Sequence, residues 1–114
     1  MIDYSERNHP YETLFNEGDN KVVFCHECNL FHVYFGTVSL DLVKNSIKGL
    51  LGRLQHHLEL YEGGFPPNKR CIEIETPCVG IRLLLSINDI KRFQKMLKGG
   101  ILAYEEGYWK SSPN

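Results

Sequence analysis

Cys25 and Cys28 are the residues in this chain best suited to chemistry. They end the run Cys25-His26-Glu27-Cys28. Two thiolates at this spacing can reach one Zn²⁺ from a tight turn, because the turn's backbone N–H groups point at the sulfurs. A structural zinc site takes four ligands, and the chain has no second C-x-x-C. Cys71 and Cys78, separated by six residues, and the nearby His26 and His32 are the candidates to complete the set. Zinc is the one cofactor the residues suggest. The same pair also suits a thiol-dependent enzyme or a redox dithiol. That chemistry relies on a helix N-terminus to depress a thiol pKa, and here the motif precedes a strand-like run. The plain alternative is two reduced thiols in a turn.

The remaining polar residues point less sharply. Lys91, Arg92, Lys95 and Lys98 recur along one stretch and form a basic helix face, with Arg82 upstream. Such a face suits nucleic-acid backbone, although no aromatics interleave with the cations. It equally suits a solvated helix near its C-terminal end. His56 and His57 are adjacent, so on a helix they point about 100° apart and do not chelate together. Glu73 and Glu75 share one face of a strand, as solvated carboxylates commonly do. The chain carries no H-E-x-x-H, no phosphate-cradling glycine loop and no nucleophile motif.

The elements that position these residues follow from periodicity. Residues 12–16 and Lys21–Phe24 are strand-like on either side of a turn signal, Asn16-Glu17-Gly18-Asp19-Asn20. They should pair as a hairpin, which places the C-x-x-C at the next turn. Leu30–Phe35 alternates, with Phe31, Val33 and Phe35 on one face and Leu30, His32 and Tyr34 on the other. Gly36-Thr37 suits a two-residue turn with positive φ at the glycine. Val38, Leu40 and Leu42 continue the buried face, with Ser39 and Asp41 pointing away.

A helix follows, with Asn45 or Ser46 as expected N-cap. Its apolar stripe is Ile47, Leu50, Leu51, Leu54, Leu58 and Tyr61, and Gly63-Gly64 with Pro66-Pro67 ends it. Arg70–Thr76 and Ile81–Leu85 are two further strands. Ser86 is the expected cap of a second helix with Ile90, Phe93 and Leu97 inward, which Gly99-Gly100 should break or kink.

Sliding the chain by 43 positions lays the second half on the first. Leu40, Leu42, Asn45, Ile47, Lys48, Leu54, Tyr61, Glu62 and Gly64 fall on Leu83, Leu85, Asn88, Ile90, Lys91, Leu97, Tyr104, Glu105 and Gly107. The unit is strand, turn, strand, helix, twice over. The expected fold is α+β, an antiparallel β-sheet with two helices on one face, built from two ββα repeats plus an N-terminal β-hairpin. A pairing of the two units about a pseudo-twofold axis is the alternative assembly.

The 114 residues predict one domain. Within it, residues 1–11 read as a leader arm, 12–35 as the hairpin and C-x-x-C turn, 30–65 as the first ββα unit, 70–107 as the second, and 108–114 as a tail. Hydrophobic residues make up 42% and charged residues 24%, with a formal charge of −1. That balance is ordinary for a globular domain and supplies no global field toward nucleic acid or anionic membrane. No apolar run reaches the ~18 residues needed to span a bilayer. The first residues carry no signal-peptide pattern, so a reducing cytoplasm is expected, with free thiols rather than disulfides.

The run from Cys25 to Leu54 joins C-x-x-C, alternating apolar residues, Phe35-Gly36, Leu40-x-Leu42 and a helix. It resembles an uncharacterised group of small bacterial CxxC-containing domains of unknown function. Thr37 stands where that group commonly has Asn after the glycine. The resemblance implies a fold type and a bacterial cytoplasm but no reaction. The functional expectation is a non-enzymatic binding or protein-interaction module with structural zinc at the C-x-x-C turn. A redox or thiol enzyme on Cys25 and Cys28 is the alternative, and nucleic-acid binding through the basic helix the third reading. The mixed outer face of the sheet leaves a homodimer or another partner open.

Overall fold

The computed structural model describes residues 11–111, of which 108–111 are described as helix backbone alone. The leader residues 1–10 and the last three of the tail lie outside the described residues. Tyr11 is already in a strand, and residues 108–111 continue the last helix rather than forming a tail.

Four strands form an antiparallel meander in the order β1-β2-β3-β4: β1 (Tyr11–Glu17), β2 (Asn20–Cys25), β3 (Leu30–Phe35) and β4 (Val38–Leu42). The turns are those the glycines predict, with Gly18 at φ +69° and Gly36 at φ +60°, values that cost an L side chain strain. Leu14 is the extra residue of an irregularity in β1 between Thr13 and Phe15. It lets both Thr13 and Phe15 pair with consecutive residues of β2 and turns Phe15 toward the core.

Val22, Phe24, Phe31, Val33, Leu40 and Leu42 alternate along three strands and are all buried. They form the inner face, and helix α2 (Ile87–Ser111) packs across its β1–β2 side. Phe93 stacks on Phe35 at 4.5 Å, and Tyr104 meets Phe24 and Phe31 at 4.7 and 5.1 Å. Helix α1 (Lys44–Tyr61) buries Ile47, Leu50, Leu54 and Leu58 against α2 and the strand β5 (Ile72–Glu75). Lys44 pairs with Glu105 at 3.0 Å and Lys91 with Glu62, so ion pairs tie the start of each helix to the end of the other.

Three features differ from the sequence expectation. First, β5 (Ile72–Glu75) and β6 (Arg82–Leu85) pair only with each other, as a second, two-stranded sheet, so the fold is α+β with two sheets rather than one. Alternation tells which face of a strand is buried and says nothing about its neighbour.

Second, α1 starts at Lys44 with Val43 as N-cap and no side-chain cap. Asn45 and Ser46 therefore lie inside its first turn. By contrast Ser86 caps α2 as expected. Its Oγ accepts the Asp89 N–H at 3.0 Å and its own N–H donates to Asp89 Oδ2 at 3.0 Å, a reciprocal pair.

Third, α2 runs unbroken through Gly99 and Gly100. A Cβ at Gly100 would stand 3.0–3.1 Å from three carbons of Val22, and one at Gly99 would stand 2.8 Å from the Phe15 ring. These glycines let the helix approach the sheet closely, which offsets their helix-weakening effect of about 1 kcal/mol each.

Candidate metal centre

The hairpin between β2 and β3 builds the site. Cys25 and Leu30 close the pair, leaving a four-residue loop His26-Glu27-Cys28-Asn29. Asn29 adopts φ +58°, a left-handed conformation that asparagine tolerates better than most residues. Its N–H donates to Cys25 O at 2.8 Å and closes the turn. The turn brings the Cys28 N–H to within 3.4 Å of Cys25 Sγ, the contact expected of a thiolate-binding knuckle.

Register brings the third residue. His32 pairs with Val23, two positions from Cys25 along β2, so its ring rises on the same face as the Cys25 side chain. That face is the one opposite the buried Phe24 and Phe31. Cys25 Sγ, Cys28 Sγ and one His32 ring nitrogen all lie within 4.8 Å of one another. Cys25 is buried, His32 half-buried and Cys28 exposed.

His32 is held from its other side. Its Nδ1 is 2.6 Å from Oδ1 of Asp41, directly opposite on β4. A carboxylate only accepts, so the neutral ring carries its hydrogen on Nδ1 and keeps a lone pair on Nε2. That Nε2 is buried and has no hydrogen-bond partner. A carboxylate–histidine pair that leaves the far nitrogen free and oriented is the usual support of a metal-ligating histidine. Tyr11 packs edge-on to the same ring at 5.6 Å.

The two thiols are not equivalent. The Cys28 side chain, hydrogen-bonded to Cys25, holds the Cys25 thiol below its usual range. The same bond pushes Cys28 up. The thiol favoured as thiolate is thus the buried one.

Other expected ligands do not join the cluster. His26 packs against the Phe24 ring at 4.8 Å, and its Nε2 contacts Glu12 at 2.8 Å. Glu12 pairs with Phe24, so His26 leans toward the opposite face of the sheet from Cys25. Cys71 precedes β5 and Cys78 lies in the β5–β6 turn, so both belong to the second sheet. The structure therefore brings together Cys25, Cys28 and His32 and leaves out His26, Cys71 and Cys78. Asp41 was legible only as an outward residue of its strand. The signal that could have found it is its cross-strand position opposite His32.

On the basic face, Lys91 pairs with Glu62 and Lys95 with Glu17 at 2.9 Å, while Arg92 and Lys98 are exposed. Two of the four cations thus meet carboxylates of the same molecule. No helix among the described residues is long and apolar enough to cross a membrane. Comparison with protein-family models, curated proteins and solved structures returns no match.

Proposed function

We propose that this protein is a zinc-binding module whose metal sits on Cys25, Cys28 and His32, and that its role is binding rather than catalysis. The observation that carries the reading is His32 Nε2, a buried acceptor with no partner on a ring fixed by Asp41 from behind, in a residue that brings a ring nitrogen within 4.8 Å of both sulfurs. Burying such an atom dry costs about 1–3 kcal/mol, a cost that a metal ion would remove. Two thiolates and an imidazole suit zinc among the common divalent ions, whereas magnesium and calcium prefer oxygen donors. When bound, the ion supplies a Lewis-acid centre and cross-links β2, β3 and their turn.

The redox reading of the same pair fits less well. The favoured thiolate, Cys25, is only 4% exposed, and the exposed Cys28 is the thiol pushed up. An attacking thiol needs both thiolate character and access.

The test is the metal content of purified, untagged protein by native mass spectrometry, with free thiols counted on the same sample. One zinc per chain is expected, with Cys25 and Cys28 protected until a chelator is added. Metal-free protein that takes up no added zinc, with four freely reactive thiols, would remove the reading.

A further inference from the structure

We infer that this centre is not a closed structural site but keeps one coordination position open to solvent, and that a neutral nitrogen or oxygen donor from outside the chain occupies it. The inference rests on the zinc reading above and goes beyond it to the class of ligand.

Zinc with four protein donors is inert scaffolding, whereas three protein donors leave a position for water or an exogenous group. Among the described residues the cluster offers three donors. Of the other expected donors, His26 is turned to the other face of the sheet and engaged by Glu12.

The three donors are also asymmetric in depth. Cys25 Sγ and His32 Nε2 form a buried floor, and Cys28 stands exposed at the rim. The side of the cluster that solvent reaches is that of Cys28. Helix α2 packs on the inner face of this sheet and α1 against α2 and β5, so neither helix lies on the outer face that carries the cluster.

Charge selects the ligand. Two thiolates neutralise the ion, and the imidazole adds nothing. Asp41 lies behind His32, and Glu27 sits within the turn itself, between the two cysteines. The surroundings of the neutral centre are therefore negative. An incoming anion is repelled, while a neutral imidazole, amine or water is not.

The experiment loads the full chain with Co²⁺ in place of zinc and reads its visible spectrum while imidazole, and separately azide, is added. The expected result is a thiolate-to-cobalt band on loading. Imidazole then shifts the d–d bands saturably, and azide needs a concentration higher by at least about tenfold. Glu27→Gln narrows that gap, and His26→Ala leaves the loaded spectrum unchanged.

Cobalt binding with a spectrum that neither ligand alters would overturn the inference while leaving the zinc reading intact. A fourth protein donor, from outside the described residues or from a second copy, would then close the site. Gel filtration with and without metal separates those two sources. Azide shifting the spectrum at a concentration no higher than imidazole needs would overturn the ligand class. Failure to take up cobalt or zinc at all would sink the metal reading itself.

Discussion

Replacing His32 by phenylalanine separates metal binding from folding, because the two respond with opposite signs. In the metal-free protein the buried Nε2 lacks a partner, a defect worth about 1–3 kcal/mol that an apolar ring removes. The variant also loses the Nδ1 contact to Asp41. The Asp41 side chain is 60% exposed and rehydrates when the ring is gone, so that pair contributes only about 0–1 kcal/mol. Phenylalanine keeps the edge contact with Tyr11 and suits a strand. Metal-free His32→Phe should therefore match the wild type or exceed it by up to about 2 kcal/mol.

The zinc-loaded comparison runs the other way. Free zinc at a thousandfold excess over Kd raises wild-type stability by about 4 kcal/mol through mass action. A variant with two donors instead of three should lose most of that rise. The assay is urea unfolding followed by far-UV circular dichroism, once with a chelator and once in buffered zinc. An unchanged zinc-dependent shift of the midpoint in His32→Phe would show that His32 is not a ligand. A metal-free variant weaker than wild type by more than about 1 kcal/mol would show that Nε2 already has a partner, and the reasoning would fail at its first step.

Other substitutions test the metal centre and the packing separately, the packing ones on the same denaturation curves. Asp41→Ala should weaken zinc binding by about 10–100-fold, read by competition with a chromogenic chelator, while leaving both sulfurs in place. Gly100→Ala should destabilise by about 1–3 kcal/mol despite alanine's helix preference, because Val22 is backed by the core. Gly52→Ala, with nothing within 4 Å of its Cβ on an exposed face of α1, should instead stabilise by up to about 1 kcal/mol.

Asp89 supplies the acid limb of the stability profile. Burial alone would push its carboxyl up, but Arg70 at 2.9 Å and the Ser86 groups outweigh it and hold the pKa down. A carboxyl lower in the folded than in the unfolded state stabilises above its unfolded pKa. That stability is lost as pH falls through the folded value. Asp89→Asn should therefore be weaker than wild type at neutral pH, with the difference shrinking as the buffer is acidified below about pH 4.

Local order was legible in the residues themselves. Alternation named the inward residues Phe31, Val33, Leu40 and Leu42, all of which are buried, because side chains of an extended strand must point to opposite faces. The same holds for Ile47, Leu50, Leu54 and Leu58 on α1, and for Ile90, Phe93 and Leu97 on α2. The turns at Gly18 and Gly36 and the cap at Ser86 are equally local, each set by the backbone or hydroxyl chemistry of one residue. The C-x-x-C announced its turn for the same reason.

What joins distant residues was decided by tertiary structure. The pattern does not tell whether β5 should add to β4 or pair with β6 alone, since both choices bury Ile72 and Ile74. Gly99 and Gly100 look like a helix break until Phe15 and Val22 are packed against them. The metal candidates divide on the same principle. Cys25 and Cys28 are brought together by one turn, so spacing suffices. His32 was one of four further candidates, and only the register of β2 with β3 placed it beside the sulfurs while turning His26 away. Asp41 entered through a second register, β3 with β4, nine residues from the ring it holds. Contacts within a turn depend on spacing along the chain, whereas contacts across strands depend on pairing, which is a property of the whole fold.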